Sequence, residues 1–308
     1  MSVSEDSAWL ELPFHSGSEM DDRAMESVAL LTEDDLHRHD FTLPAIVIGD
    51  SRTALKRFPS DFVQTTITSP PYWSLRDYDI PGQIGLEPSL DSYIADLVDV
   101  FEEVRRVTRE DGTLWLNIGD SYTSGGRTWR APDRKNPIRA MDVRPDTPPG
   151  LKPKDLIGVP WRLAFALQAA GWYLRADIVW HKPNCQPESV KDRPTRSHEY
   201  VFLFSKSERY TYDHSAVRGP NDRNVRTVWN INTQPYKDAH FATFPASLVE
   251  PCVALATSAG DLVLDPFLGS GTTGLTALTL GRRFVGIELN PEYVAIAERR
   301  LRLAASAA

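Results

Sequence analysis

An α/β fold, with a mostly parallel sheet and helices on both faces, follows from three features of this chain. Short apolar runs recur at Pro44–Asp50, Phe62–Thr68 and Gly112–Gly119, each of a length that suits a buried strand. Between the last two, Leu90, Ile94, Leu97, Val98, Phe101, Val104 and Val107 fall at the spacing of one helical face. Towards the C terminus a strand, a glycine turn, a helix and another strand follow one another over 261–288. Strands alternating with helices are the pattern that builds parallel sheets.

The elements come in order. Residues 1–40 have few periodic apolar positions and no strand pattern, so they read as a mobile arm with at most a short helix near Met25–Leu31. Beyond the β-α-β passage, residues 122–154 hold nine glycines and prolines, and a long loop is the expected form. Regular structure resumes with a helix over Gly158–Ala170 and strands over Tyr173–His181 and Glu199–Ser205. A helix over Pro245–Thr257, a strand over Asp261–Leu264, a helix over Thr272–Thr279, a strand over Phe284–Glu288 and a helix over Pro291–Leu303 complete the chain. Proline in a first turn supports the helix starts at Pro245 and Pro291.

Composition excludes several classes. With 308 residues, 41% apolar and 25% charged, the chain is long enough for one large soluble domain or two small ones. No run of about 18 apolar residues is present to span a membrane. The first thirty residues lack the basic start and apolar block of a secretory signal. Two cysteines, Cys185 and Cys252, cannot make a disulfide framework or a four-cysteine zinc site. A cytoplasmic, reducing setting is expected, and the seven histidines show no metal-site spacing.

A net charge of −8 argues at first against an anionic partner. Its distribution reverses that. Residues 1–40 carry eleven acids against Arg23 and Arg38, so the rest of the chain is near neutral. Residues 120–240 hold twenty bases and thirteen acids. Phosphate contact is mainly electrostatic, which makes this stretch the expected nucleic-acid track.

Two segments carry chemistry. In Asp265-Pro266-Phe267-Leu268-Gly269-Ser270-Gly271-Thr272-Thr273 an apolar strand runs into a glycine turn and a helix. Glycines there let a ligand approach the backbone, and the helix start offers free amides. Glu288 follows at the tip of the next strand, where an acid can accept from ribose hydroxyls. A Gly-Lys-Ser/Thr pair is absent, so the loop suits an adenosine-bearing sulfonium better than the phosphates of an ATPase ligand. The second segment is Thr68-Ser69-Pro70-Pro71-Tyr72-Trp73, directly after a strand. Two prolines remove two donors and leave carbonyl oxygens beside aromatic rings. That suits a planar base with an exocyclic amine, although a proline turn with buried aromatics is the bland alternative.

These two segments resemble the catalytic S/D/N-P-P-Y/F/W motif and the D-P-F-x-G-S-G-T-T cofactor motif of DNA amino-methyltransferases. The catalytic motif comes first, which is similar to the permuted β group of that family. Gly49-Asp50-Ser51 resembles its acidic turn near the adenine, and His240–Pro245, with Phe244, resembles the segment that closes over the methionine end of the cofactor. The likeness spans about residues 44–303. It implies a Rossmann-like class I methyltransferase sheet and S-adenosyl-L-methionine as cofactor. Asp50, Phe244, Asp265, Pro266, Phe267, Gly269, Gly271, Thr272 and Glu288 would bind it, and Ser69, Pro70, Pro71 and Tyr72 would be catalytic.

The resemblance further implies double-stranded DNA as substrate, a target base flipped from the stack, and a cognate restriction endonuclease as a candidate partner. Monomer and homodimer both stay open. Trp73, Arg130, Lys135, Lys182, Lys191, Arg193, Arg196 and His198 are the DNA-contact candidates. The family's target-recognition region would fall at 205–239, about 35 residues, so loop 122–154 is expected to share that task within a 41–308 methyltransferase domain. Serine at the head of the motif tilts the target to cytosine N4 over adenine N6. An RNA or protein-amide methyltransferase and a non-catalytic DNA-binding protein are the remaining alternatives. Pro251-Cys252 imitates the nucleophile pair of carbon-5 cytosine methyltransferases, but its helical, apolar context marks a core cysteine.

Overall fold

The computed structural model of the chain describes residues 28–38, 43–123, 145–218, 223–234 and 244–305. Nine strands form one sheet: β1 (Ala29–Thr32), β2 (Ala45–Ile48), β3 (Val63–Thr68), β4 (Thr108–Ile118), β5 (Tyr173–His181), β6 (His198–Ser205), β7 (Val228–Asn230), β8 (Leu262–Asp265) and β9 (Arg283–Glu288). Their spatial order is β1-β2-β9-β8-β3-β4-β6-β5-β7. Every neighbouring pair is parallel except β4 with β6 and β6 with β5. The expected mostly parallel sheet is therefore present, with β6 running against its neighbours.

Among the described residues six α-helices cover it: α1 (Ser51–Ala54), α2 (Leu90–Val107), α3 (Val159–Ala169), α4 (Ala246–Ala256), α5 (Thr272–Thr279) and α6 (Pro291–Ala305). The first three pack on one face, where Leu55, Tyr93, Leu97, Phe101, Val104 and Leu163 meet Leu114, Leu116 and Phe202. The last three pack on the other, where Leu248, Cys252, Ala277, Ala297 and Leu301 meet Ile46, Ile67, Val263 and Phe284. Burying both sheet faces explains why β3 and β8 are buried along their whole length.

Local chemistry sets the boundaries. Ser89 and Ser92 form a reciprocal cap on α2, satisfying amides that the first turn leaves free. Asp120 caps α3 from a distance in sequence, its Oδ1 accepting from the amides of Gly158 and Val159 at 2.9 and 3.0 Å. Pro245 stands one residue ahead of α4 rather than in its first turn. Cys252 is fully buried in α4, with its Sγ 3.3 Å from the Leu248 carbonyl, and burial pushes its thiol well above the ordinary range. It is a core cysteine.

The leader needs correcting. Ala29–Thr32 is a strand, paired parallel with β2 in register Ala29↔Ala45. Residues Glu33–Arg38 follow as a 3-10 turn whose Leu36 is fully buried. The apolar run Val28-Ala29-Leu30-Leu31 is too short to tell a strand from a helical turn, so the sequence pattern missed it. Strand β7 went unnoticed in the 205–239 segment for the same reason.

Among the described residues no helix is long and apolar enough to cross a membrane, and no group of metal-ligating side chains is present. Leu36→Ala should lower unfolding stability by about 2–4 kcal/mol, the usual cost of emptying a buried leucine site. Urea denaturation measures it, and an unchanged midpoint would show that the 33–38 turn is not part of the folded body.

Candidate active site

The two chemical segments meet because β8 and β3 are neighbours, paired at Thr65↔Val263 and Thr66↔Leu264. At their C-terminal ends the Thr68 hydroxyl donates to Asp265 Oδ1 at 2.6 Å. Some two hundred residues of chain separate these partners, yet they meet at one end of the sheet. Open α/β sheets bind ligands at such ends.

On the β8 side the turn after Asp265 is shaped by Gly269 and Gly271, with φ of +52° and +83°. Side-chain-bearing residues rarely adopt such angles. The Phe267 amide donates to Asp265 Oδ1 at 3.1 Å, and the Gly269 amide to Glu288 Oε2 at 2.7 Å. Glu288 Oε1 accepts from the Asn290 amide at 2.8 Å. Pro266 gives its carbonyl to the Ser51 hydroxyl, and Arg300 Nη1 reaches the Ser270 carbonyl at 2.7 Å and the Thr272 hydroxyl at 3.3 Å. Phe267 is partly buried and packs edge-on to Phe101.

Burial dominates the electrostatics of both acids. It raises Asp265 to about 6 despite hydrogen bonds from Thr68, Thr273 and the Phe267 amide. It raises Glu288 to about 7 against the Asn290 and Gly269 amides, with the charge of Asp265 adding to the rise. Two carboxylates thus sit beside the turn, each able to ionise more fully when a cation or hydroxyl donor arrives.

Asp50 lies close by, since Ile48 pairs with Glu288 across β2 and β9. Its carboxylate caps α1 through the Arg52 amide at 2.9 Å and grips the Arg52 guanidinium at 2.6 Å. Phe244 lines a small cavity with Thr68, Trp115, Asn117, Leu248 and Cys252, between α4 and the sheet. Residues 235–243, including His240, lie outside the described residues.

On the β3 side, Pro70 is buried and Pro71 gives its carbonyl to the Tyr93 hydroxyl at 2.9 Å. No backbone hydrogen bond to the Pro70 carbonyl is found among the described residues. Tyr72 rests against Gly119, where an added Cβ would come within 2.8 Å of its Cε2. Its hydroxyl donates to Glu199 Oε2 at 2.9 Å, and the Ser69 hydroxyl lies 3.5 Å away. Burial and the Glu199 charge hold the phenol well above its ordinary pKa.

Several expected contacts are corrected. Trp73 is buried in the core with its indole N–H on the Glu87 carbonyl at 3.1 Å, so it is closed to DNA. Lys182 is bonded to Glu199 and stacked 4.1 Å over the Trp180 ring. Arg193 pairs with Glu188 and lies 3.9 Å over the Tyr122 ring, and Arg196 donates to the Asp120 carbonyl. These side chains build the 181–200 connection rather than project from it. His198 packs edge-on to Tyr200, and burial, then the Arg196 charge, lowers its pKa. Lys191 alone of the described candidates is exposed and makes no ion pair among the described residues. Arg130 and Lys135 lie outside the described residues.

Glu199, Asn117 and Gly119 were missed. They belong to no motif, and only the antiparallel register of β4 with β6, Ile118↔Tyr200, brings them to Tyr72.

Comparison with known proteins bears on this site. The family model of the N6/N4 DNA methylases matches residues 63–299. The Type II methyltransferase M.XycI of Xanthomonas campestris pv. cyanopsidis is 63% identical over 82% of this chain and 86% of its own. M.SmaI of Serratia marcescens is 60% identical over 83% of this chain and 90% of its own. Among solved structures, the cytosine-N4-specific PvuII DNA methyltransferase superposes with a TM-score of 0.63 at 22% identity, over 85% of this chain and 90% of its own. A Thermus thermophilus protein described as a putative DNA modification methylase, solved with S-adenosyl-L-methionine, gives 0.60 at 26% identity, over 84% and 93%.

Gly119→Ala should displace the Tyr72 ring while leaving the β8 turn untouched. Circular dichroism and ligand-binding calorimetry at the turn should stay near native, while any activity that depends on Tyr72 drops by about tenfold or more. Native activity in this variant would show that the ring position is not critical.

Proposed function

The chain belongs to the N6/N4 DNA methylase family, and from that premise we propose that it methylates the exocyclic N4 amine of a cytosine flipped out of double-stranded DNA. It is a DNA methyltransferase, and its methyl donor is S-adenosylmethionine. The hydrogen bond from Thr68 to Asp265 carries the reading. It ties the start of the cofactor turn to the start of the Ser69–Tyr72 segment, so donor and acceptor would be served from one place.

The residues present fit that donor. Gly269 is left-handed with open space where a Cβ would stand, which leaves room for a ligand, while Gly271 packs against Ala297, and the two buried carboxylates suit a molecule with hydroxyl and cationic groups but no phosphate. Glu288 would accept from ribose hydroxyls. Asp265, Pro266, Phe267, Gly269, Gly271 and Thr272 would frame the ligand, with Asp50 and Phe244 at its two ends. When bound, S-adenosylmethionine supplies a methyl group activated by a sulfonium.

This chain's part is to hold the acceptor. A base amine is a weak nucleophile because its lone pair is shared with the ring. The Pro70 carbonyl and the Ser69 hydroxyl would accept its hydrogens, returning electron density to nitrogen and aiming its lone pair. Positioning of this kind supplies a large part of a transfer rate. Tyr72, braced on Gly119, would steady the ring face.

Serine at the head of the motif supports cytosine. The basic excess of residues 120–240 supports a duplex partner, with Lys191 and the 122–154 segment as phosphate contacts. An endonuclease reading the same site is the partner this reading implies.

Incubation of the protein with labelled S-adenosylmethionine and unmethylated DNA, followed by nucleoside digestion, tests the proposal. N4-methylcytosine is expected; N6-methyladenine would move the target to the other amine of the family, and unlabelled DNA would defeat the reading. Tyr72→Ala should cut transfer by about a hundredfold at unchanged cofactor affinity, whereas Asp265→Ala should weaken cofactor binding itself.

The pH dependence has a definite sign. Asp265 and Glu288 are raised to about 6 and 7 without ligand, so the folded protein holds protons there that the unfolded chain releases near pH 4. Stability contributed by these groups therefore falls as pH rises from about 4 to 7. Binding a cationic ligand favours the ionised forms. S-adenosylmethionine affinity should rise from about pH 5.5 to 8, with proton release near pH 6.5. Calorimetry in buffers of different ionisation enthalpy measures the release, and proton uptake would contradict it.

A further inference from the structure

We propose that Glu199 is a positioning residue for methyl transfer, a carboxylate that gathers Tyr72, Asn117 and Lys182 and so holds the Ser69–Tyr72 segment in one geometry at the target amine. The inference rests on the amino-methyltransferase reading above.

Three donors from three parts of the fold converge on this one side chain. Tyr72 Oη, from the segment after β3, reaches Glu199 Oε2 at 2.9 Å. Asn117 Nδ2, from β4, reaches the same oxygen at 3.2 Å. Lys182 Nζ, just beyond β5, is bonded to Oε1. Two of these donors are anchored elsewhere as well. Asn117 Nδ2 also donates to the Tyr200 carbonyl at 3.1 Å. Lys182 lies over Trp180, a buried ring whose indole donates to the Ile231 carbonyl at 2.8 Å. The position of Tyr72 is thus transmitted from paired strands rather than set by its own loop.

The geometry is crowded as well as bonded. A Cβ at Gly119 would meet Tyr72 Cε2 at 2.8 Å and Glu199 Cγ at 3.2 Å, so ring and carboxylate are packed at the same point of the β4 end. A purely apolar seat for the ring would need no hydroxyl. A half-buried phenol has to find a partner, and losing it leaves a desolvated donor. The raised pKa of Tyr72 keeps that proton on the phenol, where it serves as a fixed strut. Lys182 offsets the negative charge that Glu199 would otherwise present beside a polyanion, which also explains why this lysine is not spent on phosphate.

Rapid-quench single-turnover transfer from labelled S-adenosylmethionine to unmethylated bacteriophage DNA, with the full chain, tests the proposal. Glu199→Ala and Tyr72→Phe should each slow transfer by about 10- to 100-fold, with cofactor Kd within about twofold of native. The double variant should be no slower than the slower single one, because both remove the same strut. Glu199→Gln keeps an acceptor oxygen for the phenol and should return the rate to within about fivefold of native. A native rate in Glu199→Ala, additive losses in the double variant, or Glu199→Gln as slow as Glu199→Ala would each overturn the positioning role. Should Glu199→Ala not fold, Tyr72→Phe decides alone: a native rate without the hydroxyl overturns it. Failure of the native chain to methylate DNA would sink the underlying reading instead, and shows before any variant is made.

Discussion

The parallel pairing of β8 with β3, closed by the Thr68 hydroxyl on Asp265, is the constraint on which the remaining site depends. It lies at the centre of the sheet, where strand order turns from β9-β8 to β3-β4. Both strands are buried throughout, so their register is dictated by packing on two faces. A one-residue slip would turn every core side chain to the wrong helix layer. That rigidity sets the turn after β8 and the Ser69–Tyr72 segment after β3 against one another.

Energy is placed asymmetrically across this junction. On the β8 side burial leaves Asp265 and Glu288 destabilised as anions, held by backbone amides and a threonine hydroxyl. Such groups gain from a cationic or hydroxyl-bearing ligand, which favours their ionised forms. On the β3 side the polar groups are already satisfied: Tyr72 by Glu199, Pro71 by Tyr93, Glu199 by Lys182.

The connection over 181–200 shows how a string of bases can mislead. Lys182, Arg193 and Arg196 read as phosphate contacts, yet each is tied to a carboxylate, a carbonyl or a ring within the protein. Guanidinium and ammonium groups are as useful for pinning an irregular segment as for meeting DNA. Trp73 was misjudged for a related reason: it adjoins Tyr72 in sequence but turns into the core.

The sequence by itself determined the α/β class, nearly all the strands and helices, the two chemical segments and the family they resemble. Those properties are local or periodic, and they survive being read one residue after another. It did not show β1 or β7, whose short runs fit a strand and a turn alike, nor that the leader enters the sheet through Ala29–Thr32. Nor could it show that Asn117, Gly119 and Glu199 surround Tyr72. Their meeting depends on the register of β4 against β6, and a side chain acquires partners across a sheet only when long-range pairing has fixed which residues stand opposite.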